Sequence, residues 1–254
     1  MSKKISLHFH GEFDKLLPPD QRNVDFNHEL KETRSVKDLI ESIGVPHTEI
    51  DIIIVNDESV NFEYLVKPND RIQLYPTSRQ TKAELINISP LIHCQPEPLT
   101  VPRFVLDVHL GKLAAYLRML GFDSLYRNDY DDPTLATISA NEQRTLLTCD
   151  RQLLMRKQVS HGYFVRARQP QQQLLEVLSR FYLFELKKPF TRCMHCNGIT
   201  QAVSKQEIET QLLPATKKHY NKFFQCISCK KIYWEGSHYL KMQAEINKLK
   251  AGEI

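Results

Sequence analysis

The chain has 254 residues, of which 41% are hydrophobic and 25% charged, with a formal net charge of +4. That is ordinary for a folded protein, and at about 100–200 residues per domain it predicts two or three domains. The longest apolar runs, such as Ile52 to Val55, fall far short of the about 20 residues that a membrane span needs. The charged start Met1-Ser2-Lys3-Lys4 leads into polar–apolar alternation, not into an apolar signal region. The expectation is a cytoplasmic protein with no membrane association. Residues 1–80 hold ten Lys+Arg against fourteen Asp+Glu, and residues 81–254 hold twenty-four against sixteen. The basic excess therefore lies in the C-terminal two-thirds, which is compatible with a polyanionic partner there.

The first segment spans residues 1–77. Ile5-Ser6-Leu7-His8-Phe9 alternates as a half-buried strand does. Val36, Leu39, Ile40 and Ile43 then recur at i, i+3, i+4 and i+7, which predicts a helix with Ser35 as N-cap and Gly44 as its stop. A buried-type strand over 51–55, a turn at Asn56-Asp57 and a last strand over 71–75 follow. This β-β-α-β-β order resembles a ubiquitin-like β-grasp domain of the ThiS/MoaD sulfur-carrier type, and Lys67-Pro68-Asn69-Asp70-Arg71-Ile72-Gln73-Leu74-Tyr75-Pro76 is similar to that family's closing strand. Sulfur carriers end in a free Gly-Gly tail, whereas here the chain runs on through Pro76-Thr77-Ser78. The resemblance thus implies a module that binds a protein partner and does not carry sulfur.

Residues 78–102, with Pro90, Pro96, Pro98 and Pro102, predict a linker. From 103 to 187 short strands (103–106, 124–126, 145–148, 163–165) alternate with helices. The helices cover 110–120, stopped by Gly121, a stretch opening at Asp132-Pro133 with Asp132 as N-cap, then 151–158 and 171–184. Such alternation predicts an α/β domain, a parallel sheet flanked by helices. Residues 188–240 carry the cysteines, and 241–254 form a tail that is a short polar helix or frayed.

Ligands of an open parallel sheet bind at the carboxyl ends of its strands. Asp107, the group Asp129, Asp131 and Asp132, and Asp150 each follow a predicted strand and share one edge. Asp123 and Glu142 precede theirs and fall on the other edge. Gathered carboxylates repel one another unless a cation neutralises them, and Mg²⁺ or Mn²⁺ prefers oxygen ligands. Such ions activate water for in-line attack on a phosphodiester. For any one of these acids, helix capping is the alternative.

Four of the six cysteines form two pairs, Cys193-x-x-Cys196 and Cys226-x-x-Cys229, with 29 residues between them. Two such turns complete a closed tetrahedral zinc site, whereas a thiol redox centre needs only one pair. The zinc is expected to be structural and to supply much of the folding energy of a small ribbon. His195 lies between two ligands and is expected to point outward, and Cys94 and Cys149 are left as free thiols. Lys217-Lys218-His219-Tyr220-Asn221-Lys222-Phe223-Phe224 interleaves cations with rings, and Lys230, Lys231, Tyr233 and Trp234 add to it. Lysine contacts phosphate and rings stack on unpaired bases. Lys217, Lys218, Lys230 and Trp234 are therefore candidate RNA contacts, with packing around the zinc as the alternative for the rings.

The stretch Arg103-Phe104-Val105-Leu106-Asp107-Val108-His109-Leu110-Gly111-Lys112-Leu113-Ala114-Ala115-Tyr116-Leu117-Arg118-Met119-Leu120-Gly121-Phe122-Asp123 resembles the opening of a PIN-like ribonuclease family, the one named for the C-terminal domain of the mut-seven exonuclease. Asp131-Asp132-x-x-Leu135, Arg144-x-Leu146-Leu147-Thr148-x-Asp150-Arg151 and the closing Tyr233-Trp234-x-Gly236-Ser237-His238 are similar to its later motifs. The resemblance covers about residues 103–240, zinc ribbon included. It implies a metal-dependent ribonuclease acting on single-stranded RNA, with Asp107, Asp132 and Asp150 in an acidic pocket for Mg²⁺ or Mn²⁺. Asp131 or Asp129 would supply a fourth acid. Arg118 and Arg151 match family basic positions, which suit phosphate contact or surface salt bridges. Ala115-Tyr116 stands where the family usually has Arg-Trp, and Cys149 where it has Arg. A second reading is therefore an RNA- or ribosome-binding adaptor with a weak or inactive site. A third, a sulfur-transfer partner, is opposed by the missing Gly-Gly tail.

Overall fold

The computed structural model describes residues 4–76 and 90–251. It divides into two compact units, Met1–Val101 with Asp131–Phe164, and Pro102–Tyr130 with Val165–Ile254. Among the described residues no helix is long and apolar enough to cross a membrane.

The N-terminal part is a β-grasp. Its elements are β1 (Lys4–Phe9), β2 (Phe26–Glu29), α1 (Val36–Ile43), β3 (Ile50–Val55), β4 (Glu58–Val60) and β5 (Arg71–Pro76). The sheet order is β2-β1-β5-β3-β4, with β1 and β5 parallel and the other pairs antiparallel. Alternation in β1 buries Ile5, Leu7 and Phe9, and α1 adds Val36, Leu39 and Ile40 to the same core. The Ser35 side chain accepts the Asp38 N–H, and Gly44 ends α1 at φ 100°, a left-handed conformation natural to glycine. β4 returns along β3 through Asn56 and Asp57, both at positive φ.

Every residue of β3 is buried, including those facing away from the main core. The reason lies in the connector. Residues 78–89 of the expected linker lie outside the described residues, but 90–95 run along β3. His93 bridges to Ile52, the Cys94 N–H donates to the Asp51 carbonyl at 2.6 Å, and Leu91 packs on Ile52, Ile54 and Tyr75. Burial pushes the Cys94 thiol up to about 12.

Between residues 103 and 180 the elements run β6 (Arg103–Leu106), α2 (Gly111–Met119), β7 (Asp123–Leu125), α3 (Asp132–Glu142), β8 (Thr145–Thr148), α4 (Arg151–Leu154), β9 (Gly162–Phe164) and α5 (Pro170–Arg180). The parallel α/β architecture is present: β6 pairs parallel with β7, and β8 pairs parallel with β9. Several bounds differ from expectation: α5 ends at Arg180, short of the expected 184, and two further differences concern α3 and α4. The N-cap of α3 is Asp131, whose carboxylate accepts the Thr134 N–H, so Asp132 is the first helical residue. α4 is a single turn, because the chain leaves the helix at Met155 and closes a turn from Arg156 to Val159.

In the first unit the β-grasp grips the stretch 131–164 through polar side chains. The Glu49 carboxylate, only 2% exposed, accepts the Phe164 N–H at 2.7 Å. His47 bridges Glu41 and the Val159 carbonyl at 2.6 and 3.0 Å. The Arg151 guanidinium donates to the Leu16 and Lys15 carbonyls at 3.0 and 2.7 Å.

In the second unit α2 packs on α5, and Phe104 meets Phe122 and Phe181 edge to face. The ribbon follows: β10 (Thr200–Val203), α6 (Lys205–Ile208), α7 (Pro214–His219), β11 (Phe223–Cys226), β12 (Ile232–Trp234) and α8 (Ser237–Ala251), with β10-β11-β12 an antiparallel sheet. Gly121, at φ 91°, is the tight point between α2 and β7, since a Cβ there would run into the Lys188 carbonyl oxygen.

Candidate metal centres and nucleic-acid surface

The two knuckles bring Cys193, Cys196, Cys226 and Cys229 together, with all four Sγ atoms within 4.8 Å of one another. Cys193 and Cys229 are 3.6 Å apart, and Cys196 and Cys226 3.4 Å. Thiolates about 2.3 Å from a tetrahedral zinc sit about 3.8 Å from each other, while disulfide sulfurs sit at about 2.05 Å. The four cysteines are free thiols in a closed arrangement of soft donors that fits a structural zinc. The residue after each second cysteine, Asn197 at φ 69° and Lys230 at φ 59°, turns the chain back. A Cβ at Gly198 would approach the Cys226 Sγ to 2.9 Å, so glycine lets the knuckles close. His195 is exposed and lies outside the four-thiol group.

Tyr233 stands 3.0 Å from the Cys193 Sγ. Burial and the neighbouring thiols raise its pKa, so the phenol keeps its proton and donates it. Burial opposes ionisation of Cys193, but that hydroxyl and the backbone N–H groups around it hold the thiol down at about 7. Burial pushes Cys196 up to about 12.

Arg118 does not face a ligand. It is 4% exposed, and its guanidinium donates to the carbonyls of Ser124, Met194 and His195 at 2.8, 3.2 and 3.0 Å. It is a strut from α2 to the first knuckle, because the buried Ser124 carbonyl and the part-buried carbonyls of Met194 and His195 take its N–H donors. Asn197 completes the joint, accepting the Ser124 N–H and donating to Asp123 at 2.7 Å. Sequence reasoning missed Asn197; its place after a knuckle, where a left-handed residue is required, was the available signal. Asp123 opens β7, at the end opposite its carboxyl end, and pairs with Arg192 at 3.3 Å.

The candidate catalytic acids Asp107, Asp131 and Asp150 cap backbone N–H groups, and Asp132 opens a helix. In the second unit Asp107 follows β6, is 6% exposed and accepts the His109 N–H at 3.2 Å. In the first unit Asp150 follows β8, is exposed and accepts the Gln152 N–H at 2.7 Å. Asp132 opens α3 and lies 3.8 Å from Arg156. Asp131 is exposed, and the Thr134 hydrogen bonds hold its carboxyl below the usual range. Asp129 is clamped by Arg127 through two bonds of 2.8 and 2.7 Å. Capping and metal binding are compatible, since a carboxylate has about four lone-pair sites. Arg151, held by Lys15 and Leu16, also lies 5.6 Å from the Phe164 ring and is spent on the fold, so the expected phosphate contact is not what its guanidinium makes.

On the ribbon, Lys218 and Lys230 are exposed, while Lys217 pairs with Glu209 at 2.6 Å. Trp234 is 38% exposed and lines a cavity of about 820 Å³. Residues 102–246, more than half of the chain, match the Mut7-C RNAse domain family. The chain belongs to the Mut7-C RNase family. The Mut7-C stretch runs from β6 into α8 and includes all four thiols of the ribbon. Residues 2–82 match the Mut7-C ubiquitin family, over the β-grasp. No curated protein and no solved structure matches the chain.

Proposed function

We propose that this Mut7-C protein is a divalent-metal-dependent ribonuclease that hydrolyses phosphodiester bonds of single-stranded RNA. The observation that carries the reading is Asp107, a buried carboxylate at the carboxyl end of a parallel strand within the Mut7-C stretch. Asp107, Asp132 and Asp150 are the ligands for Mg²⁺ or Mn²⁺, with Asp131 as a further acid. Their donors are all carboxylate oxygens, the set a hard cation prefers. When bound, the cation supplies electrostatic stabilisation for in-line displacement by water at phosphorus. The protein's own part is to hold the carboxylates: His109 N–H fixes Asp107, and Gln152 N–H fixes Asp150. The zinc ribbon stabilises the domain and offers Lys218, Lys230 and Trp234 to RNA, with Lys217 reached by exchange from Glu209. The β-grasp contacts a protein partner through its exposed surface.

The test is incubation of labelled single-stranded RNA with Mn²⁺ and the purified chain, beside an Asp107→Asn/Asp150→Asn variant. Cleavage by the natural chain and none by the variant is the expected result. Cleavage that persists in the variant sinks the assignment of these acids. The second reading, a binding adaptor, is favoured by Cys149, which is exposed where the family carries arginine. RNA binding without cleavage by either protein would select it.

A further inference from the structure

We propose that the ribbon cavity is a receptor for one unpaired nucleotide of an RNA strand, the base held among aromatic rings and its phosphate facing lysine. The inference rests on the reading of the Mut7-C stretch as RNA-directed and names the subsite that holds the strand. The cavity has a volume of about 820 Å³ and is walled by Phe190, Tyr220, Tyr233, Trp234 and Tyr239. Small-ligand sites run to about 300–1,000 Å³ with mostly apolar walls and a few polar groups. The rings form two tilted pairs, Phe190 with Tyr239 at 4.5 Å and Tyr220 with Trp234 at 6.3 Å. His219, His238 and Thr216 also line it and offer hydrogen bonds to the edge of a base. Gly236 keeps the indole in place, since a Cβ there would lie 2.8 Å from the Trp234 Nε1.

Charge decides between an unpaired nucleotide and a plain apolar ligand. Residues 188–240 carry eight Lys+Arg against three Asp+Glu. Arg192, Lys217 and Lys222 are paired with Asp123, Glu209 and Glu235. Lys231, on the cavity wall, and Lys218 and Lys230 are exposed and make no ion pair among the described residues. Rings beside unpaired cations are what a base and its phosphate require, and stacking on such rings contributes about 1–3 kcal/mol per base.

Trp234 is the sole tryptophan of the chain, so its fluorescence reports this cavity alone. The experiment titrates the zinc-loaded, full-length Asp107→Asn/Asp150→Asn variant with a short polyadenylate RNA, without Mn²⁺. A parallel titration uses an abasic strand of the same length. Saturable quenching by polyadenylate, with affinity about tenfold weaker for the abasic strand, is expected. Added Tyr220→Leu and Tyr239→Leu substitutions are expected to weaken polyadenylate binding by a similar factor. Lys231→Gln is expected to lower the salt slope by about one. Zinc content and melting temperature of each variant show whether the ribbon is intact. Equal affinity for both strands, no quenching, or unchanged affinity in intact Tyr220→Leu and Tyr239→Leu proteins overturns the proposal. So does quenching that depends on protein concentration, which marks a second copy as the occupant. Absent quenching beside active RNA cleavage would overturn the cavity and leave the nuclease, while quenching without cleavage would do the reverse.

Discussion

Tyr233 and Arg118 act on the same knuckle by opposite routes. Tyr233 lends a proton to the Cys193 sulfur at 3.0 Å, which favours the thiolate that zinc needs. Tyr233→Phe should weaken zinc by about tenfold, the lower end for loss of an outer-shell partner, as read by competition with a chromogenic chelator. The pH dependence has a definite sign. Cys196 without metal is pushed up to about 12, so zinc binding displaces its proton, and affinity falls as pH falls. Arg118 touches no sulfur but satisfies the Ser124, Met194 and His195 carbonyls. Arg118→Met strands those acceptors. With about 1–3 kcal/mol for the buried Ser124 carbonyl left unsatisfied, and less for the two part-buried ones, a loss of about 2–3 kcal/mol is expected in denaturant unfolding. The zinc ligands were legible from spacing alone, because C-x-x-C is a local geometry. The task of Arg118 was not, because its acceptors lie up to 77 residues away.

At the scale of elements, the strands β6 and β8 begin and end where the apolar pattern predicts. β2 was expected from the element order but not located, and β4 escaped, since Phe26-Asn27-His28-Glu29 and Glu58-Ser59-Val60 hold one apolar residue each and owe their strand form to pairing with β1 and β3. Gly121 shows how an element junction is held. Its φ of 91° and the Lys188 carbonyl beside its Cα both exclude a side chain. Gly121→Ala should cost about 2–3 kcal/mol through left-handed strain and displacement of the loop at 188. A melting temperature unchanged in that variant would refute the account.

At the scale of the whole molecule, the two family stretches do not coincide with the two compact units. Residues 131–164 belong to the Mut7-C stretch yet cluster with the β-grasp. Phe164 packs on the β-grasp core, and Glu49, His47 and Arg151 carry the polar contacts. A fragment beginning at residue 102 would expose Phe164 and Arg151 to water and leave the Phe164 N–H and the Val159 carbonyl without Glu49 and His47. We expect it to lose cooperative unfolding, or to aggregate, while the full chain melts in a sharp transition. A well-folded fragment of equal stability would sink the idea that the β-grasp supports the Mut7-C stretch.

Periodicity and cysteine spacing were sufficient, by sequence, to predict a parallel α/β domain and a four-thiol site, and the element order with its closing-strand motif resembled a β-grasp. Each is a local property, set by side-chain spacing of two to four residues along the chain. Only the tertiary structure decided that Arg118 and Arg151 are spent on backbone carbonyls, that Glu49 accepts a hydrogen bond from Phe164, and that the ribbon's rings line one open cavity. Those outcomes depend on which buried polar groups must find partners, and the partners come from distant segments that no local pattern specifies.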